Sequence, residues 1–151
     1  MIEGVQIFEI KKHADDRGFL SELWRDSKVS KFTPKQANFT VAHPGVIKAF
    51  HFHKRQSDLW FCTSGNLEAV LYDLRKDSKT SGATQRIILG EHNSAAILIP
   101  PEVAHGYRVL GNEPAGLVYL VDQEYDPENP DEGRIPHDDQ KIAFNWETQA
   151  R

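Results

Sequence analysis

Cysteine is almost absent: Cys62 stands alone in 151 residues. No internal disulfide can therefore brace the chain. Long apolar runs are absent too, and nothing approaches the ~20 residues of a membrane-spanning helix. Residues 1–12 lack the basic start and apolar core of a secretory leader. Positive charge is not in excess, with 18 Lys and Arg against 22 Asp and Glu and a net charge of −4. That balance argues against the electrostatic footprint of a nucleic-acid binder. Helix signals are scarce as well. Residues 26–32 predict one short helix, capped by Asp26 or Ser27 and stopped by Pro34. No solenoid repeat and no low-complexity tract is present. The expectation is one cytoplasmic domain over residues 1–151, with no membrane and no nucleic-acid partner.

What is present is β texture. Short apolar runs alternate with turn residues at the spacing of a sandwich or barrel. Residues 59–62 end at Ser64-Gly65-Asn66, a turn signal. In the next run Leu67, Ala69, Leu71 and Asp73 share one face, and Glu68, Val70, Tyr72 and Leu74 share the other. Neither face is purely polar, which suits a strand covered on both sides. Further runs cover 46–52, 85–89, 95–99, 106–110 and 117–121. Residues 126–139 are acidic and hold Pro127, Pro130 and Pro136. They read as an ordered surface loop or flap, because Ile142, Phe144 and Trp146 follow and need burial. The fold class is all-β, a jelly roll.

Seven histidines are present, and their placement carries the chemistry. His51 and His53 stand two apart in a strand-like run, so they project side by side. Asp58 follows, and His105 comes after the rigid Pro100-Pro101 turn. This spacing resembles the paired motifs of the cupin superfamily, whose metal-binding members hold two His, an acidic residue and a later His at these positions. Three readings stay open. His51, His53, Asp58 and His105 can bind a divalent metal. One histidine can instead serve as a metal-free acid or base, its ordinary pKa of about 6.5 being suited to proton transfer near neutrality. Or all are satisfied core residues.

A longer ordered set of motifs resembles the dTDP-4-keto-6-deoxyglucose 3,5-epimerase family. Asp16-Arg17-Gly18-Phe19 with Glu22 comes first, then Gln36, Asn38 and Thr40. Residues 45–52, Gly-Val-Ile-Lys-Ala-Phe-His-Phe, are similar to the family's Gly-Val-Leu-Arg-Gly-Leu-His-Tyr, with Lys48 in place of Arg. Asp73-Leu74-Arg75 with Ser78 and Gly82 follows, then Ile99-Pro100 and Ala104-His105-Gly106-Tyr107. Tyr119, Tyr125-x-Pro127 and the closing Ile142 and Trp146 complete the set. The resemblance implies a cupin jelly roll acting on a dTDP-4-keto-6-deoxy sugar without a cofactor. It implies His51 as the base beside the keto group, Tyr119 as the acid on the other face, and His105 near the base. Arg17, Glu22, Gln36, Asn38 and Lys48 match positions that hold the nucleotide, and Tyr125 and Asp58 belong to the same substrate pocket. It also implies a homodimer, expected to cover Trp24, Phe32 and Phe39.

The match departs from the family twice. Asp58 stands where the family has a pocket lysine, leaving Lys48 or Lys54 to compensate. Five residues follow Trp146 in this sequence, and none corresponds to the aspartate with which the family pairs its base histidine. A narrower resemblance over residues 48–65, Phe-His-Phe-His-Lys and Cys62-x-x-Gly65, is to sugar 3,4-ketoisomerases. It implies His53 as a partner for His51. The alternatives to the epimerase are therefore a 3,4-ketoisomerase, a metal-dependent cupin enzyme, or a non-catalytic cupin that binds a sugar nucleotide.

Overall fold

A computed structural model describes residues 1–27, 29 and 31–148. Twelve strands follow one another: Gln6–Glu9 (β1), His13–Asp15 (β2), Gly18–Leu20 (β3), Gln36–Ala42 (β4), Ile47–Phe52 (β5), Asp58–Ser64 (β6), Asn66–Asp73 (β7), Thr84–Gly90 (β8), Ala95–Ile99 (β9), Val103–Leu110 (β10), Ala115–Val121 (β11) and Gly133–Arg134 (β12). They form two five-stranded sheets, in the orders β1-β9-β6-β11-β4 and β12-β5-β10-β7-β8, and a separate β2-β3 hairpin. The pairings are antiparallel. This is the expected all-β jelly roll.

The alternation read in residues 67–74 explains the layering. Leu67, Ala69 and Leu71 point into the core between the sheets. Val70, Tyr72 and Leu74 point outward, where Phe50, Ala104, Ile142 and Trp146 cover them. The C-terminal segment thus forms a third layer over β5, β10 and β7. Trp146 holds it down, packing on Phe50 at 5.5 Å and on Phe144 at 4.8 Å between ring centroids. Its indole N–H donates to the His137 carbonyl at 2.9 Å. The N-terminal segment covers the other sheet in the same way, with Val29 and Phe32 packed on Leu59, Phe61 and Leu98. Each large side chain fully buried in these layers stabilises the fold by about 1.5–3 kcal/mol.

Two expectations change here. Among the described residues there is no helix. Asp26, Ser27 and Lys31 of the stretch 26–32 lie in turns, while Lys28 and Ser30 lie outside the described residues. The Val29 and Phe32 side chains are drawn into the sheet-covering layer, and the chain follows them rather than its cap signals. The aromatic cover also differs from expectation. Phe32 is buried and Trp24 half-buried within the chain, and only Phe39 stays open, at 64% exposure.

Strand β4 sits at a sheet edge. Its odd residues Ala37, Phe39 and Val41 are exposed, and Gln36, Asn38 and Thr40 face inward. That alternation, with the bare edge, is what opens one side of the sandwich into a cavity.

Candidate active site

The cavity has a volume of about 640 Å³ and is walled by the inner faces of both sheets. One wall is β4, β11 and β6. There Tyr119 is paired in register with Asn38 on one side and Trp60 on the other. The opposite wall is β5 and β10, where His105 is paired with His51. Close approach of β5 and β10 needs Gly106, because a side-chain carbon there would meet Ala49 Cβ at 2.4 Å. The flap of residues 123–132 closes the third side.

Most of the expected residues converge. His51, His53, His105, Tyr119, Asp58, Gln36, Asn38, Lys48 and Tyr125 all line the cavity. Gln36 donates to Asn38 at 2.9 Å and accepts the Tyr125 backbone N–H at 2.8 Å, so the flap is tied to the edge strand. The Lys48 ammonium donates to the Thr40 hydroxyl at 3.1 Å. Of the two lysines expected to compensate for Asp58, Lys48 is a lining residue, and Lys54 lies in a separate groove beside Phe52. Arg17 and Glu22 do not line this cavity. Arg17 pairs with Asp15 on the exposed hairpin, and Glu22 pairs with Arg25.

Asp58 is buried, held by the Gln56 amide at 2.8 Å and the Trp60 indole N–H at 3.2 Å. The Nε2 atoms of His53 and His105 approach its two oxygens at 3.7 and 3.8 Å. Both rings are turned the same way. His105 Nδ1 donates to the Val103 carbonyl at 2.9 Å, and His53 Nδ1 to that of Asp131. A carbonyl only accepts, so in the neutral ring Nε2 is the nitrogen that carries the lone pair. The two imidazoles and the carboxylate present ligand atoms within 4.8 Å of one another, a donor set able to hold a divalent cation. His51 lies outside this group. Its Nδ1 is 3.3 Å from Glu132 Oε1, so its neighbour is a carboxylate of the flap and not the expected His53.

Electrostatics separate the rings. Burial pushes His105 down to about 4, with Asp58 opposing and His53 reinforcing the shift. Burial also lowers His51, against the pull of Glu132. Both imidazoles are therefore neutral near pH 7. Burial raises the Tyr119 hydroxyl, and the charges of Asp58 and Glu132 add to the effect. It stays protonated and able to donate. Tyr107, buried beneath the cavity, is pushed up to about 12 by the same cause.

Sequence reasoning gave no site role to Tyr107, Trp60, Asp131 or Glu132, although Tyr107 stood in a matched motif. The acidic stretch 126–139 signalled only a flap. Asp-Glu-Gly at its middle favours a turn over a strand, so nothing in that stretch pointed to the short pairing.

Comparison with known proteins gives one consistent answer. A sequence model of the dTDP-4-dehydrorhamnose 3,5-epimerase family matches residues 1–151. A spore coat polysaccharide biosynthesis protein of Bacillus subtilis is 51% identical, over 100% of both chains. The dTDP-4-dehydrorhamnose 3,5-epimerase of Salmonella typhimurium is 31% identical over 96% of this chain and 82% of its own. Among solved structures, the dTDP-6-deoxy-D-glucose-3,5-epimerase of Legionella pneumophila in complex with dTDP-4-keto-L-rhamnose superimposes with a TM-score of 0.86. That likeness is at 29% identity and covers 96% of this chain and 79% of that one.

Proposed function

Because the chain belongs to the dTDP-4-dehydrorhamnose 3,5-epimerase family, we propose that it inverts a carbon beside the C4 ketone of a dTDP-4-keto-6-deoxy sugar, with His51 as base and Tyr119 as acid. The observation that carries this reading is their placement on opposite walls of one cavity. A sugar lying between the walls offers one face to a neutral imidazole and the other to a protonated phenol.

The chemistry follows from those states. A C–H beside a ketone is weakly acidic. His51 Nε2 takes its proton, and the bonding pair moves into the enolate with charge on O4. Tyr119 returns a proton to the same carbon from the other wall, and the configuration inverts. The tyrosinate regains its proton, and the imidazolium loses its own, by exchange with water. Lys48, the cation beside Thr40 on the β4 side, suits the diphosphate. Gln36 and Asn38 supply amide groups for the base. No metal enters this sequence of steps.

The same reading includes a homodimer. Phe19 and Leu20 of the hairpin are 59% and 64% exposed, and Phe39 and Val41 of the edge strand are 64% and 52% exposed. Apolar surface on a projecting hairpin and on a bare strand edge favours a second copy over water. Arg17 at the hairpin turn would then enter the partner's cavity and supply the second cation. No helix among the described residues is long and apolar enough to cross a membrane, and we place this single cupin domain in the cytoplasm.

The test is incubation of the protein with dTDP-4-keto-6-deoxyglucose in D₂O. Deuterium enters C3, C5 or both, and the keto group stays at C4. Absence of both exchange and dTDP binding would sink the reading.

A further inference from the structure

We propose that Glu132 is a positioning residue for His51, held beside it by the short strand β12. The proposal rests on the reading of His51 as the base and deepens it.

The strap is built from five consecutive residues, 131–135. Asp131 spreads its carboxylate over the backbone N–H groups of Lys54, Arg55 and Gln56 at 2.9, 2.8 and 3.1 Å. Its carbonyl accepts from His53 Nδ1. Gly133 pairs with Phe52, and Arg134 with His51. The next residue continues the ladder: Ile135 N–H donates to Phe50 at 2.9 Å, and Phe50 N–H donates to Ile135 at 2.7 Å. The approach is so close that a side chain at 133 would meet the Phe52 ring at 2.1 Å. Glycine is what lets the strap lie flat on β5. Glu132 is thereby fixed between two anchored residues, with Oε1 at 3.3 Å from His51 Nδ1.

An ionised carboxylate can only accept, so it selects the tautomer of His51 with hydrogen on Nδ1. Nε2 then holds the lone pair that abstraction requires. When the proton arrives there, Glu132 faces the new imidazolium. The strap also keeps Glu132 ionised. Burial pushes its carboxyl up, but the hydrogen bond from Arg134 Nε at 2.6 Å, with the Arg134 charge, outweighs this and leaves it lowered. The other groups facing His51 are Arg134 of β12, whose charge opposes that of Glu132, His53 on its own side, Asp58 from β6 and His105 from β10. Both imidazoles have their Nδ1 committed to backbone carbonyls, and Asp58 is occupied by Gln56 and Trp60. Glu132 alone of these groups offers His51 Nδ1 a carboxylate within 4 Å.

Three measurements test the proposal on the full-length protein. First, Glu132→Gln lowers kcat for C–H exchange by up to about 10⁴-fold, the loss known when a carboxylate behind a catalytic imidazole becomes an amide. KM and dTDP affinity stay within about twofold. Second, Glu132→Asp recovers part of the lost rate. Third, ¹⁵N NMR of the His51 ring shows the Nδ1–H tautomer in the wild type and a shift toward Nε2–H in Glu132→Gln, because an amide can donate to Nδ1. A wild-type ring found as Nε2–H overturns the proposal irrespective of turnover. So does Glu132→Gln with kcat within twofold of wild type, and so does joint loss of dTDP binding and rate, which makes Glu132 a residue of the fold. Failure of the base reading looks different: His51→Asn would keep full exchange while the His51 tautomer of the wild type still followed Glu132.

Discussion

His105 is paired in register with His51 across β10 and β5, yet only His51 remains free to change its proton. His105 is pushed down to about 4 by burial and has Nδ1 fixed on Val103. His51 is half-exposed and lowered less by the same cause. The base works in its neutral form, and a lowered pKa keeps that form present at lower pH. The rate of C–H exchange should therefore rise through a single acid limb below the ordinary imidazole value of about 6.5. Exchange should then stay level, while inverted product should fall once Tyr119 ionises above about 10, since Tyr119 is raised and must be protonated to donate. A pH profile that follows both deuterium incorporation and inverted product checks this. An acid limb above pH 7 contradicts it.

The two proposed catalytic groups fail in different ways when removed. His51→Asn has no base and loses both exchange and inversion, by about 10²–10⁴-fold. Tyr119→Phe keeps the base, so His51 still removes a proton and can return a deuteron to the same face. Exchange should persist with retained configuration, while inverted product falls by about 10²-fold or more. NMR of the recovered sugar separates the two outcomes. Equal loss of exchange in Tyr119→Phe would remove its assignment as the opposite-face acid.

If the β2-β3 hairpin crosses to a second copy, Arg17 and His51 of one site come from different chains. Two inactive variants, Arg17→Ala and His51→Asn, should then complement when mixed and refolded together. A mixed dimer has one intact site, so roughly a quarter of the wild-type rate is expected. No recovery above either variant alone, or a monomer in light scattering, contradicts the shared site.

The core and the cavity were legible in the sequence for one reason: both depend on side chains two apart. The two-sided pattern of residues 67–74 is the layered packing of β7. Gln36, Asn38 and Thr40 are the inward half of β4. What was not legible depends on chain crossings of large sequence separation. Asp131 meets residues 54–56, more than 70 positions earlier, and Glu132 meets His51 by the same crossing. An acidic, proline-rich stretch gives no periodicity from which such a meeting can be read. The expected His51–His53 partnership failed likewise, because each ring found a partner in the flap. Residues 26–32 had helix caps but too few turns to hold a helix against burial of Val29 and Phe32.

Metal removal distinguishes the His53, Asp58 and His105 cluster from the catalytic pair. Its ligand atoms could take a divalent cation, but His51 and Tyr119 lie outside it. Dialysis against a chelator should leave the exchange rate within about twofold, because the proton-transfer steps need only imidazole and phenol. Loss of rate that a single divalent metal restores would give that cluster a direct part in the reaction.

Asp73 carries a different pH dependence, one of stability. Its carboxylate is buried at the end of β7. It accepts from Arg75 Nε and Nη2 at 2.8 and 2.9 Å, and from the Ser78 and Thr80 hydroxyls at 2.7 Å each. Arg75 also reaches the Glu3 carbonyl at 2.6 Å, tying the N-terminus to this corner. Burial alone would raise the carboxyl, but the hydrogen bonds from Arg75, Ser78 and Thr80 outweigh it and hold it well below the usual range. A carboxyl depressed in the fold contributes stability that is complete above its unfolded pKa of about 3.9. That contribution is lost as pH falls from there toward the folded value. Asp73→Asn leaves Arg75 without its charge partner and should cost about 3–5 kcal/mol at pH 7. At 2–4 °C per kcal/mol for a chain of this size, the melting temperature drops by roughly 6–20 °C. Urea titrations at pH 7, 5, 4 and 3 should show the gap between wild type and Asp73→Asn narrowing only below about pH 4. A gap that is the same at every pH would mean that the hydrogen-bond geometry of this corner matters and its charge does not.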